Sequence, residues 1–254
     1  MGAVLMRLAP LLAFVVVLIA WEVGCRVFAV PPFVLPTPSS IVLAATGFGA
    51  AAWAGHAWAT VQVALLGYAV AVGLSLPLAM AITRSRLLSR TLVPWLVVIQ
   101  STPIVAIAPI IVVTLGAGVL PRVVITTLIS FFPIVIATAT GLAAAPPELI
   151  ELSRSLRATA AREYTQIRMP YAVPHLFGAL KVATTLSVIG AVVAEFVAAE
   201  KGLGYLILFS TSSFKVPVAF AALGILVVCS LLFYLLIGWL QGRLFPWSLA
   251  PSSS

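Results

Sequence analysis

Long apolar runs alternate with short polar breaks along almost the whole chain. Six runs stand out: Leu8–Ala29, Trp58–Ile82, Leu92–Leu115, Val123–Ala144, Leu176–Val197 and Val218–Leu240. Each is about as long as the ~20 helical residues that cross a bilayer core. A run of this kind in lipid has to be helical, because an unpaired backbone group in hydrocarbon costs several kcal/mol. The pattern therefore predicts an all-α membrane protein with six transmembrane helices. Pro31-Pro32 stops the first run. A loop carrying Pro36, Pro38, Ser39 and Ser40 follows, with a short helix expected near Ile41–Ala45. Three prolines interrupt the third run, Pro94, Pro103 and Pro109.

One polar stretch is longer than the rest, from Pro146 to His175. Pro147 suits a first helical turn, and Glu148 and Glu151 suit the positive end of a helix dipole. Leu149, Leu152 and Leu156 recur at spacings of three and four, so they share one helix face. This predicts a short amphipathic helix outside the hydrocarbon, with Pro170 ending the segment behind it. Such a helix rests on the bilayer surface or docks on a soluble partner, and its residues alone do not choose.

Composition sharpens the class. Of the 254 residues, 63% are hydrophobic and 8% charged, with mean hydropathy +1.22. A soluble domain carries about 25% charged residues, and no polar stretch here is long enough to form one, so residues 1–254 read as a single transmembrane domain. Arg7 ahead of Leu8–Leu18 has the look of a secretory leader. The apolar run continues to Val30 with no small-residue cleavage site, so a retained first span is expected. The net charge of +8 is scattered between apolar runs and forms no basic face, which excludes a nucleic-acid role. Cys25 and Cys229 fall inside apolar runs and are expected to pack rather than pair.

Loop charges set an orientation. With the N-terminus in the cytoplasm, Arg7, Arg84, Arg86, Arg90, Arg154, Arg157, Arg162, Arg168, Lys181 and Arg243 fall inside or at the inner boundary. Only Arg26, Arg122, Lys201 and Lys215 fall outside. That bias predicts both termini in the cytoplasm, and with them the loop 146–170.

Catalytic chemistry is missing. The six acidic residues are all glutamates, so no Ser/His/Asp set exists, and there is no Gly-x-x-x-x-Gly-Lys-[Ser/Thr] or Gly-x-Gly-x-x-Gly. His56 and His175 are expected on opposite sides of the membrane, which argues against a metal site. The chain reads as no enzyme and as holding no cofactor or metal. Gly202-Leu203-Gly204 reads as a turn.

The loop resembles the EAA loop of binding-protein-dependent ABC permeases. That pattern is Glu-Ala-Ala, three residues, Gly, nine residues, Ile, one residue, Leu-Pro. Glu151 takes the Glu position, Arg157 falls where Gly is expected, Ile167 follows at the right spacing, and Met169-Pro170 ends it. Glu151 to Thr159, Glu-Leu-Ser-Arg-Ser-Leu-Arg-Ala-Thr, is similar to the Glu-Leu-Ala-Arg-Ser-Leu-Gly-Ala form of the nitrate, sulfonate and taurine branch, which includes thiamine-precursor and riboflavin importers. The resemblance continues through Leu35-Pro36-Thr37-Pro38, Pro103/Ala106/Pro109 with Gly116 and Gly118, Phe131-Phe132-Pro133, Gly141, Ala194-Glu195 and Gly202-Leu203-Gly204-Tyr205.

The resemblance implies the permease subunit of a type I ABC importer in the bacterial inner membrane. It implies a permease pair, most simply a homodimer, two ABC ATPase subunits that bind the ATP, an extracytoplasmic solute-binding protein, and surrounding lipid. The EAA helix would be the coupling helix, with Glu151, Ser153, Leu156, Arg157, Ala158, Ile167 and Pro170 at or supporting the ATPase contact. The imported solute would be small and organic or anionic: sulfonate, nitrate or taurine-like, or pyrimidine or riboflavin-like. Arg157 departs from the pattern. Either the helix continues through it, or it meets an acidic groove on the ATPase.

Pathway candidates come from polar residues inside the spans. Glu22 and Arg26 read as a local ion pair. Glu195 near the end of the fifth run faces a cavity, pairs with Lys201 or snorkels. Gln100, Ser101 and Thr102 beside Pro103 either line a pathway or satisfy a proline kink. An ion-coupled carrier or a channel is the alternative class, but it would need paired ionisable groups near the midplane, and these are scarce.

Overall fold

The structure is a computed structural model. It describes residues 2–249, and side chains from residue 9 onward; Arg7 and the Ser252–Ser254 tail lie outside that description. The secondary structure of the described residues is entirely helical. In chain order the helices are α1 (Gly2–Val27), α2 (Pro38–Gly47), α3 (Ala50–Arg84), α4 (Arg86–Ser101), α5 (Ile104–Leu115), α6 (Val119–Ala143), α7 (Pro147–Ser155), the single turn α8 (Ala160–Arg162), α9 (Met169–Ala198), α10 (Leu203–Ser212) and α11 (Val216–Leu244). A π-helical turn, Glu163–Arg168, joins α8 to α9, so 160–198 is one continuous helix. Among the described residues, five helices are long and apolar enough to cross a membrane, and six if the bent pair α4–α5 counts as one.

The chain divides into two compact units, each with its own packing. The first comprises residues 1–59 and 201–227. In it Glu22 of α1 pairs with Arg26 one turn on, at 2.7 Å from Arg26 Nε, and also accepts from the backbone N–H and hydroxyl of Ser39 at the start of α2. The expected ion pair is thus also a clamp between two helices. Thr37 caps α2 by accepting from Ser40 N–H, and Trp21 packs against Phe220. The helix α10 was not expected. Gly202 makes the turn into it (φ 143), donating its N–H to His56 Nδ1 at 3.2 Å.

The second unit comprises residues 60–200 and 228–254. Its most extensive pairing is between α6 and α9, and small residues make it possible. A Cβ on Gly190 would sit 2.8 Å from Thr126 Cα, and one on Gly141 would sit 2.8 Å from Ala172 Cα. In lipid, where apolar faces gain little by meeting each other, such close backbone packing and interhelical hydrogen bonds hold helices together. Those bonds are present: Ser75 Oγ donates to Phe131 O, Thr127 Oγ1 to Gly67 O and Tyr68 Oη to Leu180 O. Tyr68, Ile134, Leu176, Phe177 and Ile237 fill the core among them.

Two expectations need correction. The third run, Leu92–Leu115, is not one helix: α4 and α5 meet at a 94° bend. Pro103 has no N–H to continue the ladder and drives the residue before it out of the α region; Thr102 accordingly lies at φ −81, ψ 128. Pro170 does not end a helix either. It sits in the first turn of α9, directly after the π turn, whose wider bonding carries Met169 N–H back to Tyr164 O. That shift relieves the clash a proline ring makes with the carbonyl four residues earlier.

Candidate coupling site

The α6–α9 connection holds a built site. Pro147 opens α7, Glu148 lies in its first turn and Arg154 in its last, each charge matched to the helix dipole. Leu149, Leu152 and Leu156 share a face as expected, but nothing among the described residues covers it: they are 39%, 56% and 75% exposed. With Ser153, Arg157, Arg162, Gln166 and Ile167 they line a depression of about 360 Å³. An uncovered apolar row on a charged segment marks a surface that meets another chain or the membrane.

How α7 ends is the most specific feature. Arg157 stands in the left-handed region, φ 54. Its N–H donates to Arg154 O at 2.9 Å and Ala158 N–H to Ser153 O at 2.9 Å, the two bonds of a Schellman motif. The continued helix through Arg157 is therefore excluded. The chain makes the turn that a glycine usually makes, with an arginine in it. Thr159 then caps the next helix, accepting from Arg162 N–H.

Beneath this face sits Glu163, only 8% exposed. Its two oxygens accept from Arg154 Nε at 3.2 Å and Arg168 Nε at 2.9 Å. Burial pushes its carboxyl up, but the hydrogen bonds and charges of Arg168 and Arg154 outweigh that and hold it below the usual carboxylate range. Arg168 also donates to Leu142 O near the end of α6 and lies 5.2 Å over the Tyr164 ring. Tyr164 Oη in turn donates to Thr83 Oγ1 at the end of α3. The loop is tied to two membrane helices through one carboxylate, two guanidiniums and one phenol.

The predicted site residues divide accordingly. Leu156 and Arg157 are exposed, Ala158 and Ile167 half-buried beside them, and Glu151 exposed on α7. Ser153 is buried at 8%, and its Oγ has no hydrogen-bond partner among the described residues. Pro170 lies outside the depression. Glu163, Tyr164 and Arg168 were missed. Arg154 and Arg168 on either side of Glu163 within one loop were the available signal, but a carboxylate between arginines on a polar segment reads as a solvated face.

The pathway candidates are not gathered on one accessible surface. Gln100, Ser101 and Thr102 lie exposed at the α4–α5 break. Ser101 Oγ donates to Val97 O and Thr102 Oγ1 to Val98 O, so these hydroxyls serve the freed carbonyls of the kink. Glu195 on α9 is 1% exposed, which places its carboxylate inside the protein rather than snorkelled to an interface. Cys25 and Cys229 are both free.

Long apolar helices with a charged loop tied back onto two of them define an integral membrane protein whose exposed loop face is open to lipid or to another chain. The chain matches the family model described as "Binding-protein-dependent transport system inner membrane component" over residues 71–246, and it belongs to that family. It is 33% identical to a probable ABC transporter permease protein of Haemophilus influenzae, covering 95% of this chain and 98% of that one. It is 31% identical to the formylaminopyrimidine transport permease protein ThiX of Halalkalibacterium halodurans (94% and 96%), and 35% identical to the riboflavin transport system permease protein RibX of Chloroflexus aurantiacus (91% and 86%). The methionine ABC transporter MetNI in an inward-facing form shares its fold, with TM-score 0.63 and 21% identity over 76% of this chain and 94% of that one. The chain is the membrane-spanning permease subunit of an ABC importer, a multi-pass inner-membrane protein, and the family's ATPase is a separate subunit.

Proposed function

We propose that α7 is the element through which a cognate ABC ATPase drives this permease, and that the uncovered Leu149/Leu152/Leu156 row is the face it grips. The observation that carries this reading is the contrast within one loop: leucines left open on the outer side, and a buried Glu163 hub on the inner side that binds α7 to α3 and α6. Glu151, Ser153, Leu156, Arg157, Ala158 and Ile167 form or shape the contact, and Pro170 holds the π turn behind it. ATP is bound by the partner, and this chain contributes no cofactor site.

Two copies of the chain, most simply a homodimer in lipid, enclose the pathway, and an extracytoplasmic binding protein delivers the solute. Relatives named for formylaminopyrimidine, riboflavin and aliphatic sulfonates support a small organic or anionic solute. Gln100, the Ser101-Thr102 break and Glu195 are the pathway residues we assign. Both termini and α7 lie in the cytoplasm. This needs the bent α4–α5 pair to cross the membrane, since a re-entrant pair would place α7 on the side opposite the N-terminus.

The test is a single cysteine at Leu156 in a chain whose Cys25 and Cys229 are replaced. It should be labelled by a membrane-impermeant maleimide only after the inner face is opened. It should also cross-link to the co-expressed ATPase in a nucleotide-dependent way. Labelling from outside intact cells, or ATP-independent uptake by the permease alone, would overturn the reading.

A further inference from the structure

Among the described residues of the second unit, an apolar cleft of about 250 Å³ opens between α3, α9 and α11, lined by Leu65, Val188, Cys229, Leu232, Phe233 and Leu236 among others. Its walls face outward, with Leu232 61% exposed, while Val188 is buried at its floor. Phe233 is fixed edge-on against Tyr68 at 4.9 Å, so the floor is rigid. The volume exceeds the ~150 Å³ of an apolar cavity that accepts a benzene ring.

Positive charge is placed at one end of this cleft; toward the other, Glu195 follows Val188 by seven residues on α9 and is buried. On α9, Lys181 precedes Val188 by seven residues, two helical turns along the same face. It lies against α11, its Cε 3.5 Å from where a Cβ on Gly238 would be. On α11, Cys229, Leu236 and Arg243 also recur every seven residues, so the stripe that lines the cleft ends in an exposed arginine. The two helices run antiparallel here, since Lys181 meets Gly238 while Val188 meets Leu232 and Leu236. Both cations therefore lie toward the α11 C-terminal end. A helical side chain leans toward its own helix N-terminus, which turns Lys181 the same way, out of the hydrocarbon. Neither α3 nor α11 carries an acidic residue, and Glu195 on α9 is fourteen residues from Lys181. No carboxylate is ion-paired with Lys181 or Arg243 among the described residues.

We propose that this cleft is a site for an anionic phospholipid, with an acyl chain lying over Val188 between Leu65 and Leu232 and the headgroup phosphate held by Lys181 and Arg243. The apolar groove selects a chain, and two cations one helix apart select a headgroup of net negative charge over a zwitterionic one. The site does not depend on which membrane face the α11 end occupies, so it stands or falls separately from the orientation proposed above.

Each basic residue near an anionic headgroup is worth about fivefold in affinity. The experiment is lipid titration of the purified, delipidated permease–ATPase complex by native mass spectrometry, with dioleoyl phosphatidylglycerol against dioleoyl phosphatidylcholine. The wild type should bind the anionic lipid at least fivefold more tightly. Lys181→Ala with Arg243→Ala should bring the ratio below twofold. Leu232→Trp, which fills the cleft without changing charge, should lower occupancy by both lipids. A wild-type ratio near one, or a preference that survives the double substitution in an intact complex, overturns the proposal. So does protection of the cleft by a second protein chain, seen as a cross-link from Cys229 to a neighbouring copy.

Discussion

Arg157→Gly is expected to stabilise the permease while leaving it bound to its ATPase. The residue sits at φ 54, where an L side chain costs roughly 1–2 kcal/mol relative to glycine. Against this, glycine gives the unfolded chain about 0.5–1 kcal/mol more entropy to lose. The side chain itself is exposed, and the backbone bonds of the turn, Arg157 N–H to Arg154 O and Ala158 N–H to Ser153 O, need no side chain. The net gain is therefore about 0.5–1 kcal/mol, which for a chain of this size raises Tm by roughly 2–4 °C per kcal/mol. Arg157→Ala is the control, because alanine keeps the left-handed strain and loses the charge; it should melt with the wild type. The assay is thermal unfolding of the detergent-solubilised complex, followed on the permease and on retention of the ATPase. If glycine and alanine melt alike, backbone strain is not what distinguishes this position. If Arg157→Gly releases the ATPase while Arg157→Ala keeps it, relief of backbone strain does not leave the contact intact and the reasoning fails.

Three further outcomes follow from the same geometry. Glu163→Gln should lower stability by about 1–3 kcal/mol, the worth of hydrogen bonds made to charged groups, read as a lower Tm at pH 7. Because the folded carboxyl is held below its ordinary value, its contribution is full above the unfolded pKa of ~4.3 and is lost as pH falls through the folded one; the wild-type advantage over Glu163→Gln should therefore shrink as the pH is taken below ~4.3, and an advantage that grows on acidification would contradict the hub. Gly190→Ala places a methyl 2.8 Å from Thr126 Cα on α6, backbone that cannot rotate away, and should cost about 1–3 kcal/mol as overpacking, measured as earlier loss of the helical circular-dichroism signal; no change would mean the helices are not in close contact. Ser153→Ala removes a buried hydroxyl without a hydrogen-bond partner among the described residues and should leave Tm unchanged or raise it by up to about 1 kcal/mol in stability, whereas a loss would reveal a hidden partner for Ser153.

The long helices were legible because lipid leaves the chain so few options: an apolar run of ~20 residues has to satisfy its own backbone. The runs at Trp58–Ile82, Val123–Ala144 and Val218–Leu240 lie wholly or almost wholly within α3, α6 and α11. Prolines were harder, because proline alone does not say whether a helix breaks. Pro77, Pro94, Pro109, Pro133 and Pro174 all lie within helices, while Pro103 breaks one. The difference lies in context. Ser101 and Thr102 ahead of Pro103 can return hydroxyls to the freed carbonyls, which makes the bend tolerable in an apolar setting. The helix α10 went unseen because a ten-residue stretch, Leu203–Ser212, is too short to signal a span. At the site, the leucine spacing located the uncovered face of α7, whereas the left-handed turn at Arg157 was not settled by an arginine in the glycine position. The Glu163 hub was invisible because its partners depend on a π turn and on contacts with α3 and α6, which no local pattern encodes.

The hub decides how the loop behaves under load. A coupling element hung on flexible loops would absorb a push by bending, and little motion would reach the membrane helices. Here α7 connects through Arg154 to Glu163, from Glu163 through Arg168 to the end of α6, and from Tyr164 to the end of α3. Glu163 itself is on the helix that continues without a break into α9. If α7 has the coupling role proposed above, a displacement of it would be handed to three membrane helices at once, as a rigid-body motion of packed elements rather than a local deformation. The close α6–α9 packing at Gly141 and Gly190 then carries it along their length, because helices in backbone contact cannot slide independently. The α4–α5 break lies outside this chain of bonds. Yet Ala108 of α5 packs on Ile125 of α6 and Ala194 of α9, and Leu96 of α4 on Phe132 and Val135 of α6, so both arms of the bend rest on the helices that the hub ties together.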